Sequence, residues 1–411
     1  MAEGKNTMKV GVVGLGYVGI VTAAVLADQG HQIMGIDTDK DKISRLQAGK
    51  SVIFEPGLDE LISRNHQRFE FTSNYDGLGE SEVIFICVST PDRGGEINLD
   101  YVFSACESIK NVNSKATVVI KSTVVPGTAR NVFRRTGIRI VSNPEFLREG
   151  SAIHDTVHPD RIVMGADEPQ SLALLRNIWG FTKAPILETT NENAELIKYA
   201  SNAFLATKIS FINEIADLCE KIPGADVSVI AEGMGYDKRI APEFLRAGLG
   251  FGGSCFPKDT RALITFAKEN NTDIRIVESA VSVNSDRVKK AVDRIEAKFG
   301  SLKTKNICVL GLSFKNDTDD VRYSKSWELV EELNKRGGLV KAFDPTVKSA
   351  QGINVTVNPD RCIENSDFVI VATEWKEFNR LNLNTAGRVI DFRRILDKGK
   401  ADMMVGVHDK N

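Results

Sequence analysis

No Cys-x-x-Cys pair occurs in the 411 residues, and only 5 histidines are present. A zinc ribbon is thereby excluded, because such sites take their thiolates in closely spaced pairs. The six cysteines (87, 106, 219, 255, 308 and 362) stand far apart, a usage that fits reduced thiols inside a cell. His154 and His158 are four apart, but Pro159 and the nearby aspartates predict a loop rather than a metal face, and no metal is expected. Charge of one sign is also missing. The formal net charge of −2 gives no reason to expect nucleic acid or a membrane surface as partner. No apolar run approaches the ~18 residues of a membrane span. The opening Met1-Ala2-Glu3-Gly4-Lys5-Asn6-Thr7 is polar, without the apolar core of a signal peptide. A cytoplasmic protein is the expectation.

What is present is an ordinary globular composition, 42% hydrophobic and 26% charged, in a chain long enough for two or three domains. The most informative stretch is Gly250-Phe251-Gly252-Gly253-Ser254-Cys255-Phe256-Pro257-Lys258-Asp259. One cysteine follows a glycine run and precedes a helical pattern, with Ser254 as the expected N-cap and Pro257 tolerated in the first turn. The positive end of a helix dipole and a nearby Lys258 both favour a thiolate. A cysteine that only fills a core needs no backbone clearance beside it. Cys255 therefore reads as a catalytic thiol, whereas Cys87 and Cys308 lie inside apolar strand patterns and the other three cysteines read as core or near-core.

Near the other end, the strand pattern Lys9 to Val13 runs into Gly14-Leu15-Gly16-Tyr17-Val18-Gly19 and a helical run from Ile20 to Gln29. This is G-x-G-x-x-G in its strand–turn–helix setting, where the glycines allow a tight turn, close approach of a pyrophosphate and close packing of helix on strand. The next strand, Gln32 to Ile36, ends on Asp37, whose carboxylate suits ribose hydroxyls and repels a 2′-phosphate. NAD is thus favoured over NADP, with Lys40 and Lys42 leaving a small opening for the phosphate.

Strand and helix patterns alternate through the first ~190 residues, the mark of a doubly wound parallel sheet. Strands at 82–88 and 116–123 end near Thr90 and Thr123, where such sheets collect ligands. Another leads into Asn143-Pro144-Glu145-Phe146-Leu147-Arg148-Glu149-Gly150, which as a helix would turn Glu145 and Glu149 to one face. A long helix is predicted from Asn193 to about Lys221, carrying Lys198 and Asn202 one turn apart and serving as domain connector and subunit interface. The last ~110 residues repeat the opening theme through Asn306 to Gly311, Leu339 to Asp344 and Ser366 to Thr373. The second turn, Gly311-Leu312-Ser313-Phe314, lacks the further glycines, so it is not expected to cradle a dinucleotide. The predicted fold is α/β, two Rossmann-like doubly wound domains joined by a long central helix, with bounds at 8–192, 193–300 and 301–404.

From about Met8 to Met404 these motifs, joined by Lys121-Ser122-Thr123, Lys258-Asp259 and Phe314-Lys315, closely resemble the UDP-glucose/GDP-mannose dehydrogenase family. The resemblance implies a four-electron oxidation of a nucleotide-sugar C6 alcohol to the carboxylate, UDP-glucose to UDP-glucuronate foremost, consuming two NAD⁺ and one water. GDP-mannose or another nucleotide sugar is the alternative. A non-catalytic binding protein of the same fold is disfavoured by the intact Cys255, Lys198, Asn202 and Asp259. By resemblance, Cys255 forms a thiohemiacetal and then a thioester, Lys198 and Asn202 steady the oxyanion, and Asp259, Glu145 and Thr123 handle proton and water. NAD would meet Gly14, Gly16, Tyr17, Val18, Gly19, Asp37, Lys42, Thr90, Thr123, Glu149, Lys258 and Arg322. The UDP-sugar would meet Glu145, Phe146, Leu147, Glu149, Lys198, Asn202, Arg246, Gly250, Gly252, Phe314, Lys315 and Arg393. The arginine pair Arg393-Arg394 leaves the choice between the two open. Arg239 would reach the neighbouring subunit's site in a homodimer or higher homo-oligomer.

Overall fold

A computed structural model describes residues 7–397 and 399–408. The polar opening, apart from Thr7, lies outside them. The chain forms two compact units that divide between Ala200 and Ser201. Among the described residues no helix is long and apolar enough to cross a membrane.

The first unit begins with β1 (Lys9–Val13), α1 (Tyr17–Asp28), β2 (Gln32–Ile36), α2 (Lys40–Gln47), α3 (Leu58–Arg64), β3 (Phe69–Thr72) and β4 (Val83–Ile86). A small hairpin of β5 (Asp92–Arg93) and β6 (Glu96–Ile97) precedes α4 (Asp100–Val112), β7 (Thr117–Ile120), α5 (Thr128–Thr136) and β8 (Ile140–Ser142). Then come α6 (Ala152–Val157), β9 (Ile162–Ala166), α7 (Pro169–Ile178), β10 (Ile186–Thr189) and the long α8 (Asn191–Cys219). Strand order is β10-β9-β8-β7-β4-β1-β2-β3, so β3-β2-β1-β4-β7-β8 is the doubly wound order with its switch point between β1 and β4. Residues Val10 to Val13, Val83 to Ile86 and Thr117 to Ile120 are buried on both faces, as covered parallel strands require. Register sets Val13 level with Ile36 and Ile86, so three carboxyl ends open at one edge.

Three expectations change here. β9 pairs antiparallel with β8, so the sheet is not parallel throughout. The 143–161 connection that carries α6 is long enough for a parallel crossover, so its length does not set the direction of β9. His154 belongs to α6 rather than a loop, with its ring 5.2 Å from that of His158. α8 starts at Asn191 and ends at Cys219, two residues earlier at each end than the apolar pattern indicates.

The second unit takes up α8 and adds α9 (Val227–Gly235), α10 (Phe256–Glu269), α11 (Arg275–Phe299), β11 (Asn306–Leu310), α12 (Lys325–Lys335) and β12 (Leu339–Phe343). β13 (Asn354–Val355), α13 (Pro359–Ile363), β14 (Phe368–Val371), β15 (Arg388–Asp391) and β16 (Met403–Met404) complete it. Its order, β13-β12-β11-β14-β15-β16, repeats the doubly wound arrangement with every pairing parallel. Cys308 of β11 and Cys362 of α13, with Cα atoms 5.3 Å apart, form a disulfide. This corrects the expectation of reduced thiols throughout: the strand and the helix packed on it bring the two within bridging distance. Cys87, Cys106, Cys219 and Cys255 are thiols.

The start of α8 is held to the first sheet by polar side chains. Asn191 Oδ1 accepts from Ser142 N at 2.9 Å. Glu195, 3% exposed, accepts from Gly127 N at 2.6 Å and Ala129 N at 2.8 Å, at the start of α5, and from Ser142 Oγ at 3.2 Å. Burial pushes the Glu195 carboxyl from 4.5 up to about 7, more than these donors pull it down. Its folded value lies above its unfolded one, so its stabilising contribution is complete below about pH 4.5 and is lost as pH rises through about 7. Glu195→Gln cannot ionise. Its melting temperature relative to wild type is expected to move in the variant's favour by about 2–4 °C between roughly pH 5 and pH 8. A gap that stays constant with pH would assign that slope to other groups.

Candidate active site

At the switch point Gly14 sits at φ +89°, and a Cβ there would stand 2.8 Å from the Cys87–Val88 peptide. A Cβ on Gly19 would fall onto the Gly14 carbonyl oxygen, so helix and turn touch directly. Around Gly16 a Cβ would meet nothing within 4 Å. Two of the glycines are thus required by packing, and the middle one faces open space at the N-terminus of α1. That is the clearance a pyrophosphate needs, and the residues present fit NAD. Asp37 Oδ2 accepts from Leu15 N and Lys42 Nζ, both at 2.8 Å. Burial raises the Asp37 pKa, but Lys42 and the amides of Asp39 and Leu15 outweigh it and leave the pKa lowered. Lys42 is therefore committed to Asp37 rather than standing open for a phosphate. Thr90 Oγ1 donates to the Thr123 carbonyl at 2.9 Å, linking the tails of β4 and β7.

Tyr17, from the turn, donates to Glu55, a residue that the sequence reading passed over. Glu55 is 6% exposed and accepts from Gly150 N and Ala152 N, both at 2.7 Å. The Glu55-Pro56-Gly57 loop before α3 was its only sequence signal. Through it the cofactor turn and the 143–150 segment share one carboxylate.

That segment is not helical, and Glu145 and Glu149 do not share a helix face. Asn143 precedes a proline, which disfavours the helical region, and its Nδ2 donates to Val163 O at 2.8 Å. The chain then bends locally where Glu145 Oε2 accepts from Leu147 N at 2.6 Å. Glu145 is buried and ion-paired with Lys198 of α8 at 2.9 Å, while Glu149 is half-buried in the turn beyond. Burial raises the Glu145 pKa, but the Lys198 ammonium, the Leu147 amide and Lys121 hold it below the usual carboxylate range. The Phe146 ring carries the Arg161 guanidinium 3.8 Å from its centroid on one count and Lys198 Nζ at 5.5 Å on another.

In the second unit Cys255 itself occupies the N-cap of α10, and Ser254 stands one residue before it with its Oγ 3.7 Å from the Cys255 sulfur. The Cys255 backbone is already in the helical region, and its carbonyl accepts from Asp259 N at 2.8 Å. This shifts the expected cap from Ser254 to the thiol-bearing residue. Asp259, 1% exposed, accepts from Asn202 Nδ2 and from Lys258 Nζ, both at 2.6 Å. Asn202, Lys258 and Asp259 form one cluster beside the first turn of α10.

The glycines of the cysteine loop are required by its walls. Gly250 (φ +108°) and Gly252 have Asn284 and the Tyr323 carbonyl where a Cβ would go, and Gly253 (φ +79°) has Phe314 at 2.8 Å. Asn284, absent from the sequence reading, both accepts from Phe251 N at 2.7 Å and donates to Phe251 O at 3.0 Å. Lys315 Nζ lies 5.7 Å from the centre of the Phe314 ring. Gly253 N donates to the Arg322 carbonyl at 3.0 Å, and the Arg322 side chain pairs with Asp320 at 2.7 Å. Arg246 is exposed and lines a shallow cavity of about 370 Å³ with Pro242, Glu243 and Phe244. Phe244, also missed, holds φ +65° and stacks edgewise on Phe256, 6.0 Å away. Arg239 stands away from these groups, its side chain 90% exposed and paired with Asp237.

The second glycine turn is closed by its own side chains. Asp344 Oδ2 accepts from Leu312 N, Ser313 N and Ser313 Oγ at 2.7, 3.0 and 3.0 Å. Of the arginine pair, Arg394 donates to Asp226 at 2.8 Å, whereas Arg393 donates to Ala372 O at 2.6 Å, at the carboxyl end of β14. Among the described residues no group of three or more His, Cys, Asp or Glu is placed to hold a metal.

Profiles of the UDP-glucose/GDP-mannose dehydrogenase family match in three parts: its NAD binding domain over residues 8–182, its central domain over 192–286 and its UDP binding domain over 308–398. A UDP-glucose 6-dehydrogenase of Rhizobium meliloti is 42% identical over 98% of this chain and 95% of its own. One of Bacillus subtilis is 41% identical over 92% and 90%. The solved UDP-glucose dehydrogenase of Pyrobaculum islandicum superposes with TM-score 0.92 at 36% identity, covering 98% of each chain.

Asp37 accepts from Leu15 N of the glycine turn and from Lys42, at the strand end where a ribose-binding carboxylate is expected, so Asp37→Ala is expected to weaken NAD binding and release Lys42. The ratio of NAD to NADP efficiency should fall by about tenfold or more, given 1–3 kcal/mol for a charge-assisted contact. Equal use of both cofactors by the unaltered protein would show that Asp37 does not select.

Proposed function

The chain belongs to the UDP-glucose/GDP-mannose dehydrogenase family, and from that premise we propose that it oxidises C6 of UDP-glucose to give UDP-glucuronate through a covalent intermediate on Cys255. It is an NAD-dependent dehydrogenase. The setting of Cys255 carries the reading: an exposed thiol at the N-terminus of α10, with Asp259 of the first turn bonded to Asn202. NAD, when bound, supplies the hydride acceptor for both oxidations.

The chain's own groups do the rest. Cys255 adds as thiolate to the C6 aldehyde, giving a thiohemiacetal and then a thioester. Lys198 and Asn202 donate to the oxygen on which charge grows, the role in which preorganised donors contribute most. Glu145, Asp259 and Thr123 hold the hydrolytic water and take up its proton. The Lys198 ammonium keeps Glu145 ionised, the state in which it can accept a hydrogen bond from the water and orient it. Phe146, Leu147, Glu149, Arg246, Gly250, Gly252, Phe314, Lys315 and Arg393 hold the nucleotide sugar, and Glu149, Lys258 and Arg322 border the cofactor. The site of action is the cytoplasm, where NAD circulates.

The same reading includes a homodimer. Phe204, Phe211 and Leu218, exposed at 65%, 45% and 55%, recur every seven residues on one face of α8, and Val229 of α9 is 65% exposed. Such a stripe supports a two-fold contact between copies, and the exposed Arg239 would complete the partner's substrate site.

Three measurements test these claims. A limiting-substrate endpoint should give two NADH per UDP-glucose, and Cys255→Ser should keep binding both ligands while turnover falls by orders of magnitude. One NADH per sugar, or activity within tenfold of wild type, would remove Cys255 from the mechanism. For the shared site, the two inactive variants Arg239→Ala and Cys255→Ser, co-expressed, should regain up to about a quarter of wild-type activity through randomly paired mixed dimers. Tagged mixed dimers without activity would refute it.

A further inference from the structure

Behind the 143–150 segment the first unit holds a cavity of about 110 Å³ that Glu145, Phe146 and Leu147 line together with Lys121 and Trp179, which have no role above. Its inner wall carries two donors with little to bind. Lys121 is 5% exposed, and its ammonium has no ion pair. Its polar contact is Asn143 Oδ1 at 3.5 Å, with the Trp179 ring centre at 4.9 Å. Trp179 is 3% exposed, and its Nε1 has no hydrogen-bond partner. Burying an ammonium without a counter-ion in direct contact is costly, and burial pulls the Lys121 pKa down more than the charge of Glu145 raises it. Both donors line the same cavity as the carboxylate of Glu145. Its outer rim is polar and exposed, at His154, His158 and Asp160. A chamber with buried donors at one end, a carboxylate beside them and an exposed rim is polar enough for water. It also has the room, because one water centre needs only about 10–15 Å³.

We propose that this cavity is the passage by which the hydrolytic water reaches Glu145 and its proton leaves, with Lys121 and Trp179 as positioning residues that hold the file of waters. The inference rests on the thioester hydrolysis proposed above. In that step a water oxygen bonds the thioester carbonyl carbon, the C–S bond breaks, and its electron pair returns to Cys255 as thiolate. One water proton passes to Glu145 and out along the file, and the second follows when the product acid ionises. No electrons are transferred. Lys121 and Trp179 point donors at the water oxygen, which leaves its hydrogens for the carboxylate. Lys198 occupies the other side of Glu145, so the two lysines have separate tasks.

Lys121→Met keeps most of the length of the side chain and removes its donors, and Trp179→Phe removes the indole N–H while keeping an aromatic ring. With saturating NAD⁺, both should release two NADH per subunit in a first phase at the wild-type rate. The steady phase should then slow by at least about tenfold for Lys121→Met and by less for Trp179→Phe. Acid-quenched samples should show the acylated protein accumulating by intact mass. A purely structural lysine would slow both hydride phases together and accumulate no adduct. That result, or wild-type steady rates in both variants, overturns the passage. One NADH per sugar from the wild type would instead fail the thioester chemistry beneath it, so the two failures are distinguishable. Trp179→Phe carries the test if Lys121→Met does not fold.

Discussion

The buried ion pair between Glu145 and Lys198 is the interaction around which the first unit's chemistry is arranged. Both side chains are less than a tenth exposed, and their atoms meet at 2.9 Å. Removing two charges from water costs several kcal/mol, which the pair's attraction offsets only with further hydrogen bonds. Glu145 finds one in the Leu147 amide, and this bond also bends the segment out of helical geometry. The same helix face contributes Asn191 and Glu195, which satisfy backbone donors at the end of β8 and the start of α5. Such an arrangement adds little net stability for its cost. What it secures is position: one carboxylate, ionised, at a fixed place on the sheet's carboxyl edge.

The two sheets follow the same strand order, yet their glycine turns have diverged in a way that side chains explain. In the first, Asp37 accepts from Leu15 N and Lys42, and Gly16 faces open space. In the second, the corresponding carboxylate of Asp344 is occupied by Leu312 and Ser313 on one oxygen and by Thr346 and Val347 on the other, and Trp375 Nε1 lies 3.3 Å from the Ser313 hydroxyl. One turn leaves room for a dinucleotide and the other fills the space with its own hydroxyl. A serine in place of a glycine makes much of that difference.

Much of this was legible in the chain itself, because the signals are local. The glycine turn, the strand ending on Asp37 and the cysteine behind Gly252-Gly253 are each contained within about ten residues, and each lies where its pattern indicated. What escaped is what depends on contact across the sequence. Glu55 is marked by no periodicity, since its partners are a tyrosine and two amides from distant segments. Asn284 sits within a regular helical pattern, and its bond to Phe251 exists only once α11 packs on the loop. The Cys308–Cys362 bridge and the antiparallel β9 likewise follow from which elements become neighbours. The non-helical 143–150 segment was readable in principle from Pro144, but the apparent i, i+4 spacing of two glutamates pointed the other way.

The four thiols are unequal in a way that bears on how such a protein ages. Burial pushes Cys87 and Cys106 each up to about 12, so neither presents a thiolate to an oxidant near neutral pH. Cys219 is buried as well, whereas Cys255 is exposed at a helix terminus. Among the free cysteines, peroxide therefore meets one exposed thiol per chain. Its first product, a sulfenic acid, is reversible by thiols, and the sulfinic and sulfonic acids beyond it are permanent. Damage confined to that atom leaves both cores intact, so with Cys255 as the proposed nucleophile a stored preparation would lose its chemistry while its melting curve stays the same.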